Sequence, residues 1–126
     1  TPANPSSDTT PTFGFASTEA PATYQVNLDG GGWVSATTPL TISPALADGS
    51  HTLQLRATDI VGNQDGTPAA YTWLVDGTNP TGSITSPSDG ADLAGTVSLT
   101  SNSADAGSGV ATVTFQSSPA GTNTWT

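Results

Sequence analysis

Large apolar residues recur at every second position over most of the first part of the chain. They do not take the 3.6-residue period of a helix over any stretch of about eleven residues free of Pro and Gly. In Thr12-Phe13-Gly14-Phe15 the two aromatics share a face, as do Tyr24, Val26 and Leu28 in the run Tyr24 to Leu28. Leu40 and Ile42 continue the pattern after Pro39, and Leu53, Leu55 and Ala57 alternate with Thr52, Gln54, Arg56 and Thr58. Tyr71, Trp73 and Val75 then fall on one side and Thr72 and Leu74 on the other. A period of two turns one face to a core and the other to solvent, so these segments predict half-buried antiparallel strands and an all-β fold.

Turn chemistry divides the strands. Five of the nine aspartates (Asp29, Asp48, Asp65, Asp76 and Asp89) stand directly before glycine, the dipeptide that supplies the positive φ of tight turns, so these acids read first as turn residues. The first strand series ends at Asp76-Gly77-Thr78-Asn79-Pro80, which reads as an interdomain hinge whose proline limits its freedom. A second series starts at Ile84 and runs through Leu93, Val97, Leu99, Val110, Val113 and Phe115 to Trp125, with room for three or four strands. The organisation predicted is one complete β-sandwich over residues 1–78 and the first strands of a second over 79–126. Alone, those strands would expose an apolar face and unpaired edges. Either the parent polypeptide continues beyond Thr126, the favoured expectation, or a strand from another subunit completes the sandwich.

Composition narrows what such a fold does. Hydrophobic residues make up 33% of the 126 and aromatics 6%, which suits two thin cores better than one large one. Arg56 is the one Lys or Arg against ten acids, a net charge of −9, leaving no cationic surface for the phosphates of nucleic acid or of anionic lipid. No apolar run approaches the roughly 20 residues of a membrane helix, so no membrane insertion is expected in this segment. Cysteine is absent, which removes disulfides, thiol catalysis and thiolate metal sites. Without lysine a Lys–Asn isopeptide cross-link is ruled out as well.

Few residues suggest chemistry. Asp48, Ser50 and His51 lie close in sequence, but no Gly-x-Ser-x-Gly elbow is present and neighbours on a strand point to opposite faces, so no catalytic residue is assigned. Asp59, Asn63 and Asp65 make an oxygen-rich loop of the kind a Ca²⁺ ion takes, although the spacing fails the EF-hand pattern; calcium is the one cofactor this sequence offers. The competing reading has Asp59 pinning its own turn toward Asn63. Trp33 is the one tryptophan outside the core pattern with a face to offer a sugar ring, whereas Trp73 alternates with Tyr71 and Val75.

The segment Asp48-Gly49-Ser50-His51-Thr52-Leu53-Gln54-Leu55-Arg56-Ala57-Thr58-Asp59, followed by Gly62-Asn63, resembles the bacterial Ig-like repeats of large surface and adhesin-like proteins. Tyr24 to Leu28 with Asp29-Gly30-Gly31, and Pro68 to Trp73 with Val75-Asp76, follow the same repeat in order, covering nearly all of residues 1 to 79. Pro80 to Pro87, Asp89-Gly90 and Ser108 to Ala111 look like the opening of another such repeat. Many members of that family carry a Cys pair, and this chain has none. The resemblance implies an immunoglobulin-like Greek-key sandwich, secretion or display at a cell surface, and tandem arrays. The function expected is a non-catalytic spacer or adhesin repeat whose partners are neighbouring Ig-like domains, with a glycan or surface ligand as a further partner. Two other roles fit the same family: a filament subunit completed by strand exchange, and an accessory carbohydrate-binding domain of a secreted hydrolase.

Overall fold

The computed structural model describes residues 1–118, so Trp125 lies outside the described residues. The chain divides into two compact units, Thr1–Thr78 and Asn79–Thr126, and the described residues contain strands and no helix. In the first unit β1 is Thr12–Phe13, β2 Ala22–Leu28, β3 Val34–Ala36, β4 Leu40–Thr41, β5 Gly49–Asp59 and β6 Ala69–Val75.

Strands β3, β2, β5 and β6 form, in that order, an antiparallel four-stranded sheet, while β1 and β4 form a second antiparallel pair. The register sets Val26 opposite Leu55, Leu28 opposite Leu53, Leu53 opposite Tyr71 and His51 opposite Trp73. Residues opposite one another share a face, so these side chains collect on one side of the sheet. Phe13 from β1 and Ile42, next to β4, close over that side, and with Val26, Leu53, Trp73 and Val75 they make the buried core. Each such side chain contributes about 1.5–3 kcal/mol on burial, and together they lock the two layers of the sandwich. Backbone bonds from Ile42 N to Pro11 O (3.0 Å) and from Leu46 N to Thr9 O (2.8 Å) extend the smaller layer beyond its strands.

The leading segment, which shows no alternation in sequence, runs parallel to β6 along its free edge. Asn4 Oδ1 accepts from Leu74 N (3.0 Å), Ser6 N donates to Leu74 O (2.9 Å), and Asp76 N donates to Ser6 O (2.9 Å). Tyr71 Oη donates to Pro2 O at 2.8 Å one step earlier. A sheet edge that would otherwise present unpaired backbone groups is thereby covered.

In the second unit β7 (Ile84–Ser86) pairs with β8 (Thr100–Ser101), and Thr81 bridges Ala104. These two are its only strands among the described residues, against the three or four read from its apolar spacing. Leu93, Val97, Leu99, Val110 and Val113 lie outside them. Coverage ranges from Ile84, 60% exposed, to Val110, at 36%, so no apolar residue described here is buried as those of the first unit are. Alternation marks a face able to be buried; burial itself needs an opposing layer.

Candidate functional site

The outward face of the four-stranded sheet is polar and internally bonded. Thr52 and Thr72 share a hydroxyl hydrogen bond (2.8 Å), and Asn27 Nδ2 donates to Gln54 Oε1 (3.3 Å). Arg56 donates through Nε and Nη2 to Gln25 Oε1, at 3.0 and 2.8 Å. These bonds orient the guanidinium, whose carbon lies 4.1 Å from the ring centroid of Trp33. Trp33 therefore sits just before β3, half-buried, with one ring face occupied by the chain's one Lys or Arg side chain. The sequence singles out Trp33 but not its partner, because Gln25 comes opposite Arg56 only once β2 and β5 are in register.

Asp59 closes its own loop. Its Oδ1 accepts from Val61 N (2.9 Å) and Asn63 N (2.8 Å), and Oδ2 accepts from Asn63 Nδ2 (2.8 Å). The Asn63 bonds, side chain first and backbone second, hold its carboxyl below the ordinary range. Asp65 turns away to accept from the amide and hydroxyl of Thr67 at 2.8 and 3.0 Å. A depression of about 310 Å³ lies beside this loop, bordered by Ser17, Glu19, Asp59, Asn63 and Asp65. Among the described residues no group of three His, Cys, Asp or Glu side chains is placed to hold a metal ion.

Of the five residues read from the sequence as a hinge, three are bonded within the first unit. Asp76 is buried, and its Oδ1 accepts from Thr78 N at 3.2 Å. Asp48, at the turn into β5, accepts from Gly77 N (2.8 Å) through Oδ1 and from the Thr78 hydroxyl (2.5 Å) through Oδ2. The Thr78 bond is the larger cause, with that of Gly77, of a carboxyl held below its usual range. Asp76, Gly77 and Thr78 thus belong to the first unit, and Asn79 and Pro80 follow before the Thr81–Ala104 pairing of the second.

His51 enters β5 on the core face, its ring 5.9 Å from that of Trp73. Its Nδ1 lies 2.7 Å from Asp29 Oδ2 and its Nε2 2.9 Å from Ala47 O. Asp29 Oδ1 accepts in turn from Thr52 N at 2.7 Å. A carboxylate and a carbonyl only accept, so the two partners are satisfied together only by the imidazolium, whose ring nitrogens both donate, and they favour that form over the neutral ring. The Asp29 bond first and the Ala47 bond second push His51 up from its usual 6.5. For Asp29, burial pulls upward, but the bonds from His51 and Thr52 carry the carboxyl below 3.8. Asp29 occupies a tight turn, with φ of 50° followed by 76° at Gly30 and Gly31 N bonded to Leu28 O at 2.9 Å, as a hairpin turn of type I′ requires. With both ring nitrogens engaged, His51 has none left to take a proton from Ser50, which faces the opposite side of the strand.

A two-layer antiparallel sandwich with its core between the sheets, Asp-Gly turns and a surface built from hydrogen-bonded side chains defines an immunoglobulin-like module. The family described as bacterial Ig-like domain matches residues 3–77, and that described as bacterial Ig domain matches residues 80–125; the chain belongs to the bacterial Ig-like domains. Such domains are typically non-catalytic modules, commonly found in extracellular or surface proteins. No curated protein and no solved structure gives a match.

Proposed function

We propose that this chain is a spacer or adhesin repeat of an extracellular tandem Ig-like protein, setting distance between a surface and a binding tip, with neighbouring Ig-like domains as its partners. The observation that supports this reading is the parallel course of the leading segment and β6. Pro2 lies by Tyr71 and Ser6 by Val75, so the polypeptide arrives at one end of the first unit and leaves from the other. At about 3.3 Å per residue the two points stand on the order of 15 Å apart along the edge of the first unit. The test is substitution within the parent protein. Exchanging these residues for an unrelated Ig-like pair of equal length should preserve ligand binding, and loss of binding would show that the segment is itself the binder.

A second reading, assembly with other chains through the second unit, is supported by the exposure of Ile84, Leu93, Leu99 and Val113. Sedimentation of the chain across a concentration series decides it: reversible growth in mass favours assembly, and a constant monomer removes it.

A further inference from the structure

His51 and the exit of the first unit are joined by hydrogen bonds through two consecutive residues. Ala47 offers its carbonyl to His51 Nε2, and Asp48, the next residue, grips Gly77 N and the Thr78 hydroxyl. The loop between β4 and β5 is thus held from the core side by a histidine and itself holds the segment by which the chain leaves. Gly49, with φ of 140°, turns the chain from this loop into β5 opposite Val75, which sets Asp48 beside the residues that follow β6.

We propose that His51 is a pH-responsive latch: as an imidazolium it fixes the Ala47–Asp48 loop and through it the exit segment Gly77–Thr78, and on losing its Nε2 proton to water it releases both. The direction follows from the partners. A neutral imidazole keeps one N–H, and the Asp29 carboxylate holds that proton on Nδ1 more strongly than a neutral carbonyl holds it on Nε2. The bond given up is therefore the one to Ala47. Around the ring stand Asp29 from the β2–β3 turn, the Ala47 carbonyl from the β4–β5 loop, and the uncharged Trp73 indole from β6. Asp48 and Asp76 add negative charge around the same loop. Asp48 is bonded as a carboxylate and stays ionised throughout, so His51 is the group that changes. Its raised pKa puts the release on the alkaline side of the ordinary histidine range. The latch does not depend on the spacer reading, because it acts within the first unit.

The experiment is NMR of the full chain from about pH 5 to about pH 10, following the ring of the single histidine together with the Gly77 and Thr78 amides. The protection factor of the Gly77 amide, corrected for intrinsic exchange, is expected to fall by about fivefold or more with the same midpoint as the His51 ring. In His51→Gln it should stay flat across that range, and in Asp48→Ala, which removes the acceptor of Gly77 N, it should be low at every pH. Should His51→Gln fail to fold, co-titration in the unaltered chain still decides. Gly77 protection that ignores the His51 midpoint, or that keeps the same pH dependence in His51→Gln, overturns the proposal.

Discussion

The ring of Phe13 packs 5.2 Å from that of Trp73 at an interplanar angle of 59°, and this contact joins the small sheet to the large one. Trp73 is also stacked with Tyr71 at 5.9 Å, and its indole N–H is buried without a hydrogen-bond partner. Replacement by Ala should cost about 3–5 kcal/mol, the usual range for emptying a large aromatic site. Trp73→Phe should stay within about 1 kcal/mol of the parent, because deleting a buried unpaired donor recovers about 1–3 kcal/mol against the smaller cavity term. Urea unfolding measures both; a Phe variant as weak as the Ala variant would contradict this account.

The Asp29–His51 pair sets a pH profile for stability. His51 is raised above 6.5 in the folded chain, so its contribution is complete below that value and is lost as pH rises through the folded pKa. Asp29, Asp48 and Asp59 are lowered from 3.8, so theirs is present above that value and is lost as pH falls through their folded pKa values. Thermal melting should therefore peak between these two reference values, and His51→Gln should flatten the alkaline limb and also shrink the Asp29 share of the acid limb, leaving the shares of Asp48 and Asp59.

Asp59 spends its carboxylate on three N–H donors of its own loop. Asp59→Ala should lower the melting temperature. Calcium and chelator should leave the unaltered chain where it was, whereas a rise with calcium would assign an ion to Asp59, Asn63 and Asp65.

Arg56 shields one face of Trp33. Arg56→Ala should raise acrylamide quenching of tryptophan emission and remove about 0.5–1 kcal/mol of cation–π stabilisation, with a further loss from the Gln25 bonds. If a glycan stacks on the other face of Trp33, binding on a glycan array should vanish in Trp33→Ala.

The core was readable where alternation was regular. Leu53 against Gln54, and Trp73 against Thr72, sort correctly by period alone, and the loop bonds of Asp59 follow from the habit of Asp to bond backbone two to four residues on. What escaped lies between residues far apart in sequence. Asp48 looked like a turn acid because its grip on Thr78 spans 30 positions, and Asn4 gave no strand signal because it pairs with Leu74 through its side chain. Trp33 was visible as an odd aromatic, yet the guanidinium over it appears only with the β2–β5 register.

The parallel course of the leading segment and β6 also fixes how the first unit answers a pull. Tension applied through Thr1 and through Thr78 draws Ser6 and Val75 past each other along their length, so the bonds of Ser6 and Asn4 to Leu74 and of Asp76 to Ser6 are loaded together in shear. Bonds strained side by side yield at higher force than bonds opened one at a time. A module anchored in this way resists extension at its own ends first, before its core is disturbed.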